Sequence, residues 1–270
     1  MTPSLVHDLN PNMRNTRLVL GAPIDALSWE EAIQKITHWA AVPESRYICL
    51  CNVHSVVTAS RDADFMAAVH GADLCAPDGA PVAWALRWLG IASQQRINGP
   101  DLMWKYLAEA EHLGQKVFFY GSTEATLAAL QAVLSEKFPR LAIAGMYAPP
   151  FRRLTEDEER QEIERMNRSG AGLVFVGLGC PKQEKWMAAR RDRIRAVLVG
   201  VGAAFDYHAG TLERAPAWMQ HHGLEWLYRL AKEPRRLFRR YAVTNTLFVY
   251  GFMKQMLRHA RTSRRTGRTS

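Results

Sequence analysis

The chain lacks any uninterrupted apolar run of the roughly 18 to 20 residues that a membrane-spanning helix needs. Its first residues also lack the basic region and apolar core of a signal peptide, so we expect none. Cysteine is scarce, with 4 residues in 270, which argues against a disulfide framework and fits a reduced cytoplasmic location. Cys49 and Cys51 lie two apart in a strand-like run. We expect them to face opposite sides of that strand and to make a poor metal pair.

Several nucleotide and metal motifs are absent or incomplete. There is no phosphate-binding loop with a Walker lysine and no nucleophile elbow. The runs 177–179 and 200–202 each match half of a dinucleotide fingerprint and lack the acidic residue after the next strand, so NAD binding is disfavoured. Asp62 and Asp64 match an Asp-x-Asp metal pattern but fall inside a predicted helix instead of at a strand end. We therefore expect no metal and no other cofactor.

Acidic residues are nearly absent from the C-terminal segment. Residues 226–270 contain twelve Lys and Arg and one acidic residue, Glu233, whereas residues 1–225 contain 23 basic and 25 acidic side chains. The net charge of +9 therefore belongs to a near-neutral body with a strongly basic C-terminal segment. Such a segment attracts anions, whether lipid headgroups, nucleic acid or phosphorylated substrates.

The rest of the chain alternates between apolar strands and amphipathic helices. Strands are predicted at 46–53, 74–76, 116–120, 141–146, 173–176 and 196–201. Helices are predicted at 55–69, 80–89, 100–113, 123–138 and 155–169, the last opening with a capping box. This alternation indicates an α/β fold, a Rossmann-like, mostly parallel sheet flanked by helices. Ligands of such folds gather at the carboxyl ends of the strands.

Four regions are predicted along the chain. Residues 1–16 are expected to be disordered, residues 17–212 to form the α/β core, residues 213–258 a basic helical appendage, and residues 259–270 a disordered basic tail. Aromatic side chains alternate with arginines in the appendage, a pattern typical of helices at a membrane surface. The alternative is a helix pair packed on the core with solvated arginines, and the two interpretations can hold together. The appendage could lie along a bilayer but is not expected to span it.

The run LVFVGLGCPKQEKW, residues 173–186, is the most informative part of the chain. It predicts a buried strand, a glycine turn and a helix that starts behind Pro181. This arrangement points unpaired backbone N–H groups outward, where an anion can bind. Lys182, Gln183 and Glu184 crowd the start of the helix. A plain turn needs only one capping side chain, so the pattern favours a binding role over a structural one.

Other candidate residues also follow strands. Asp78, in a Pro-Asp-Gly loop, can either cap the next helix or point into a cleft as a general base, and the sequence favours neither. Asn52 can bind a sugar or base, or be an ordinary turn residue. Arg96 can hold a phosphate or pair with a surface acid. Asp206 can orient a sugar hydroxyl or cap the next turn, and we favour the ligand role.

Taken together, these motifs resemble those of the WecG/TagA/CpsF family of bacterial glycosyltransferases. The similarity covers about residues 17–245, and it is the joint order of the motifs that is specific. The matching runs are the Asn52 strand end, ADLCAPDGAPV (72–82), RINGPDL (96–102), VFFYGS (117–122), VFVGLGCPKQEKW (174–186), GVGAAFD (200–206), RAPAWMQ (214–220) and GLEWLYRLAKEPRRLFRRY (223–241). The departures are Cys180 and an additional Arg/Thr/Ser-rich stretch beyond Arg258.

The resemblance implies an inverting glycosyltransferase of cell-surface polysaccharide biosynthesis. It would move N-acetylmannosamine, its uronic acid or glucose from a UDP-sugar to a polyprenyl-diphosphate-linked monosaccharide. Asp78 matches the family's proposed catalytic base, and Asn52, Arg96 and Gln183 match positions that line the cleft. The appendage would dock on an anionic membrane and complete the site. Its expected diphosphate contacts are Arg214, Arg229 and Arg236.

The resemblance also implies a peripheral location on the inner face of the plasma membrane, and self-association. A competing interpretation, from a different class of protein, is an α/β protein that binds nucleic acid through its basic C-terminal segment. The ordered cleft motifs would have no purpose in such a protein, so we expect no nucleic-acid partner.

Overall fold

The computed structural model describes residues 14–266, and it describes side chains up to His259. Most of the predicted N-terminal disorder therefore falls on residues 1–13, outside the described part. Arg14, within the predicted disordered stretch, donates to both carboxylate oxygens of Asp25 at 2.9 and 2.8 Å.

A parallel sheet forms the centre of the molecule. The strands, after an antiparallel hairpin of β1 (Thr16–Val19) and β2 (Ala22–Asp25), are β3 (Arg46–Cys51), β4 (Leu74–Pro77), β5 (Val117–Gly121), β6 (Ile143–Tyr147), β7 (Leu173–Gly177) and β8 (Val197–Gly200). Strands β3 to β8 are hydrogen-bonded in the order β4-β3-β8-β7-β5-β6, and all neighbours are parallel. The predicted α/β fold with a mostly parallel sheet is confirmed.

Helices alternate with these strands. Those of the core are α1 (Trp29–Ala40), α2 (Val53–Ala59), α3 (Ala63–His70), α4 (Ala80–Trp88), α5 (Gly99–Leu113), α6 (Glu124–Lys137), α7 (Glu156–Ser169), α8 (Lys182–Ala189) and α9 (Ala204–His208). The helix predicted at 55–69 is two helices, because the Asp62 side chain accepts from the Phe65 N–H and starts α3 afresh. The capping box predicted for α7, Thr155 with Glu158, is confirmed.

The sheet separates two apolar layers. On β3, Tyr47, Cys49 and Cys51 face one layer, and Ile48 and Leu50 face the other. The expectation that Cys49 and Cys51 face opposite ways was wrong, because residues two apart in a strand share a face. Both thiols are buried and free.

The appendage continues from the core as three helices. These are α10 (Ala217–His221), α11 (Glu225–Lys232) and α12 (Pro234–Thr266). Helix α12 packs on α2 and buries Leu237, Phe248 and Phe252, so the packed-helix interpretation holds for one of its faces. It runs past Arg258, where a disordered tail had been predicted, since no Pro or Gly interrupts residues 252–266. Among the described residues, no helix is both long and apolar enough to cross a membrane.

Candidate functional site

A cavity of about 1060 Å³ opens at the carboxyl ends of β3, β4, β7 and β8, between the core and the appendage. Parallel strands bring the residues that follow them to the same edge of the sheet, where ligands of open α/β folds bind. All of the predicted site residues except Arg214 line this cavity. The seven that line it are Asn52, Asp78, Arg96, Gln183, Asp206, Arg229 and Arg236.

Asp78 faces the cavity and does not cap α4. Helix α4 begins behind Gly79, which takes a φ of +94° and has no side-chain cap. A residue with a Cβ is strained in that conformation, so Gly79 lets the chain turn directly behind the carboxylate. The Asn52 Nδ2 group donates to Asp78 Oδ2 at 3.4 Å. Of the two roles that the sequence left open for Asp78, the geometry supports the one in the cleft.

The surroundings of Asp78 make it a stronger base than an ordinary carboxylate. Burial, with the negative charge of Glu225, raises the pKa of Asp78 to about 6, against the opposing effects of Arg96, the Asn52 hydrogen bond and Arg229. At neutral pH the group is mostly ionised and can still accept a proton readily.

Asn52 has a structural and a site role at once. Its Oδ1 accepts from the Ser55 N–H at 3.1 Å and caps α2. This bond fixes the amide so that Nδ2 points toward Asp78. The turn role and the cleft role that we considered for Asn52 are therefore filled by opposite ends of one side chain.

Gln183 lines the cavity, but its amide is engaged by the protein. Its Oε1 accepts from the backbone N–H groups of Gly179 and Gly202, at 3.2 and 3.1 Å. Its Nε2 donates to Glu184 Oε1 at 3.0 Å, and burial raises the pKa of Glu184 to about 7. Gln183 thus ties the turn after β7 to the turn after β8. A direct contact between Gln183 and a ligand stays a prediction.

Asp206 lies in α9 at the far wall of the cavity. The hydroxyl groups of Ser122 and Thr126 each donate to its Oδ1 at 3.4 Å. These long bonds leave much of the carboxylate's accepting capacity unused, as a hydroxyl-bearing ligand would need.

Arg214 differs from the other predicted arginines because it does not line the cavity. It donates to Asp101 Oδ1 at 2.6 Å and to Asn98 Oδ1 at 3.3 Å. Both partners start α5, so Arg214 ties the beginning of the appendage to the core. The structure does not bring it together with the other predicted diphosphate contacts.

Two of the cavity's arginines are paired with acids of the appendage. Arg96 lies 3.1 Å from Glu225, and both side chains are largely buried. Arg236 pairs with Glu233 at 2.6 Å. Glu225 comes from α11, so the Arg96 pair connects the core loop to the appendage in the cavity that Asp78 also lines.

Two further arginines of the cavity lack such a partner. Among the described residues, no carboxylate pairs with Arg229 or Arg240, and their guanidinium groups lie over the rings of Tyr207 and Tyr241. A positive charge inside a cavity that no carboxylate contacts directly favours an anionic ligand. Sequence reasoning missed Arg240, although its spacing of four from Arg236 places both on one side of α12.

Sequence reasoning also missed the apolar part of the cavity and Glu225. The missed lining residues are Trp84, Trp88, Glu225, Arg240, Phe248, Val249, Phe252 and Met253. The spacing of four between the two tryptophans was the signal that could have revealed a common face.

The Asp-x-Asp pattern is used structurally. Asp62 caps α3 and pairs with Lys185 at 2.7 Å. Among the side chains that the structure describes, no three His, Cys, Asp or Glu residues come together as metal ligands would. The expectation of metal independence stays a prediction.

Comparisons with known proteins agree with this architecture. The sequence profile of the Glycosyl transferase WecG/TagA/CpsF family matches residues 17–262. An N-acetylglucosaminyldiphosphoundecaprenol N-acetyl-beta-D-mannosaminyltransferase of Bacillus spizizenii is 29% identical over 250 residues, 89% of this chain and 92% of the relative. A protein of the same name from Bacillus subtilis is 30% identical over 190 residues, covering 70% of this chain and 72% of the relative. The chain therefore belongs to the WecG/TagA/CpsF family and is a glycosyltransferase.

Proposed function

We propose that the protein transfers a sugar from a UDP-sugar to a hydroxyl group of a polyprenyl-diphosphate-linked monosaccharide, with inversion at the anomeric carbon. The observation that carries this proposal is one cavity that holds a carboxylate of raised pKa and two arginines without acidic partners. The names of the two Bacillus relatives support N-acetylmannosamine as the sugar and an undecaprenyl-diphosphate-linked N-acetylglucosamine as the acceptor.

The chemical step needs one base and one stabilised leaving group. The acceptor hydroxyl gives its proton to Asp78 while its oxygen attacks the anomeric carbon from the side opposite UDP. The bond between that carbon and the phosphate oxygen breaks, and UDP leaves with the electron pair. Asp78 then returns the proton to solvent. The Asn52 amide, fixed by its cap on α2, keeps the carboxylate aimed at the acceptor.

Positive charge stabilises the departing diphosphate. Arg229 and Arg240 offer guanidinium groups that form no ion pair with an acid among the described residues. Arg96 and Arg236 can add to them if phosphate oxygens replace Glu225 and Glu233 as their partners. A phosphate oxygen accepts the same charge-assisted hydrogen bonds from a guanidinium group as a carboxylate oxygen does, so the diphosphate can take the place of these acids.

We also propose that the protein works in the cytoplasm as a peripheral protein on the inner face of the plasma membrane. Val243, Tyr250 and Leu257 are exposed and lie seven residues apart, so they form one stripe along α12. The basic residues Arg239 and Lys254 lie on the same helix. Clustered Lys and Arg each contribute about 1 kcal/mol at an anionic leaflet, and the apolar stripe adds burial.

The test of the activity is a panel of UDP-sugars offered with N-acetylglucosamine diphosphate on a short lipid. We expect UDP-N-acetylmannosamine to be used, with the uronic acid and glucose donors as the alternatives that the panel separates. The configuration of the new linkage, read by NMR, tests inversion. The proposal fails if no donor gives a disaccharide product. Salt-sensitive nucleic-acid binding that survives Asp78→Asn would instead support the competing nucleic-acid function.

The test of the membrane contact is pelleting with anionic vesicles. A variant with Ser at positions 243, 250 and 257 should lose most of its vesicle binding. The matched control, Leu113→Ser with Phe151→Ser, removes exposed apolar side chains from the core instead. Equal vesicle binding by both variants would contradict a membrane contact through the α12 stripe.

Self-association also stays a prediction. Analytical ultracentrifugation of the full chain would measure it.

A further inference from the structure

The cavity changes chemically from one end to the other along α12. The side chains that α12 contributes are first cationic (Arg236 and Arg240, followed by Tyr241), then polar (Thr244 and Asn245), and then apolar. The apolar ones are Phe248, Val249, Phe252 and Met253. At a rise of 1.5 Å per residue, Arg240 and Phe252 lie about 18 Å apart along the helix. One continuous cavity therefore connects a cationic region with an apolar groove.

Along the opposite wall of the cavity, helix α4 shows a similar change from a charged end to an apolar end. It begins directly after Asp78, and Trp84 and Trp88 follow toward its end. Trp88 lies eight residues after Ala80, the first residue of α4, a distance of about 12 Å along the helix axis. The Trp88 ring lies 5.9 Å from the ring of Phe252 on α12. The two helices thus form the sides of one apolar groove that starts at the catalytic carboxylate.

The groove is open. Trp88 is 69% exposed and Met253 is 58% exposed, although both line the cavity. Large apolar side chains that stay exposed next to one another mark a site at which something apolar binds. The occupant must also continue into the cationic region, because the cavity is continuous. A molecule with an anionic head and an apolar chain fits both ends, whereas a flat bilayer surface does not enter a groove beside Asp78.

We infer that the groove of Trp84, Trp88, Phe248, Val249, Phe252 and Met253 binds the first isoprene units of the lipid acceptor. The inference rests on the proposed function and adds to it a subsite for the lipid chain. The acceptor's sugar hydroxyl lies at Asp78, its diphosphate shares the cationic region of the cavity with the diphosphate of UDP, and its chain leaves between α4 and α12 toward the membrane. The protein therefore recognises the lipid itself, separately from the contact between the α12 stripe and the bilayer.

The test compares acceptors of different chain length without any membrane. N-acetylglucosamine diphosphate is attached to one isoprene unit or to three, and both acceptors are used below their micelle concentrations. The wild-type protein should prefer the longer chain by at least about 10-fold in kcat/KM, mainly through KM, because the two additional isoprene units bury apolar surface in the groove. Trp88→Ser combined with Met253→Ser should reduce this preference to less than about 3-fold.

The matched control is Trp218→Ser combined with Phe238→Ser, which removes two exposed aromatic side chains that do not line the cavity. This control should keep the wild-type preference. Because all four side chains are exposed, the variants should fold, and thermal melting checks this. Val249→Ser, at another exposed position of the groove, is the second groove variant.

The outcomes separate the groove from the activity. A wild-type protein that uses both acceptors equally would overturn the groove while leaving the proposed function intact. An equal loss of chain-length preference in the control and the groove variants would also overturn the groove, because the effect would then not depend on where the exposed apolar side chain lies. If no acceptor of either length is used with any UDP-sugar, the proposed function itself fails and the groove with it.

Discussion

The core and the appendage build the cavity in different ways. The core places its polar side chains at strand ends, where caps and turns fix them, as for Asn52 and Asp78. The first two appendage helices, α10 and α11, bury no residue. Ion pairs connect them to the core through Arg214 and Arg96. The core therefore fixes the orientation of the polar site residues, and the appendage contributes positive charge and apolar surface to the cavity.

This difference suggests a division of labour. A base must be placed within hydrogen-bond reach of its proton, which needs the rigid sheet. Charge attraction and apolar contact tolerate looser geometry, which a segment attached through ion pairs can provide. Changes in the core should therefore reduce turnover, and changes in the appendage should reduce the affinity for substrates.

The largest effect is expected from Asp78→Asn. Loss of a general base typically slows turnover by about 10² to 10⁴-fold, and the amide keeps the size of the side chain. We expect kcat to fall by that factor in a steady-state assay, with UDP-sugar binding by calorimetry retained. Turnover close to that of the wild type would show that Asp78 is not the base and would contradict the proposed division of roles between the core and the appendage.

Arg240→Gln tests the contribution of the appendage. Because Arg240 forms no ion pair with an acid among the described residues, its loss removes charge-assisted hydrogen bonds to a diphosphate, worth about 1.5 to 3 kcal/mol. We expect KM to rise by about 10- to 100-fold with a smaller change in kcat. The control is Arg235→Gln, on the same helix and exposed, outside the cavity. Equal effects of both variants would show that only the net charge of the helix matters.

The stability of Asp78→Asn relative to the wild type tests whether the core holds Asp78 in a position where burial disfavours its ionised form. The pKa of Asp78 is raised from 3.8 to about 6 on folding, so ionising it opposes folding at pH values above that range. The variant should be more stable than the wild type at pH 7.5, by on the order of 2 kcal/mol. The gain should disappear near pH 3, where Asp78 is protonated in both the folded and the unfolded state. Chemical denaturation at the two pH values measures it, and a loss of stability at pH 7.5 would contradict it.

The smallest effect is expected from Glu225→Gln. The charge of Glu225 raises the pKa of Asp78, and its removal also frees Arg96, which lowers that pKa. The acid limb of kcat/KM should therefore move to lower pH. Glu213→Gln is the control, because Glu213 pairs with Lys232 away from the cavity. An unmoved acid limb would mean that the appendage does not influence the base.

Much of the fold could be predicted because its signals are local. Apolar runs that end at turn-forming residues gave the strands of the parallel sheet and their order along the chain, and the motifs that follow them gave Asn52, Asp78 and Gln183. The break in the helix after Ala59 was missed, since Asp62 was read as part of a helix and not as a cap. The placement of Arg214 was missed because its partner, Asp101, lies 113 residues away.

The sequence by itself determined the alternation of strands and helices, the basic C-terminal segment and the polar residues after each strand, because these depend on periodicity, caps and composition. Only the tertiary structure decided which of these residues share a cavity. It gave Asp78 its raised pKa, engaged the Gln183 amide, left Arg229 and Arg240 without acidic partners, and set the tryptophans of α4 opposite the apolar part of α12. Burial and charge pairing arise between residues far apart in the chain, and local sequence does not encode them.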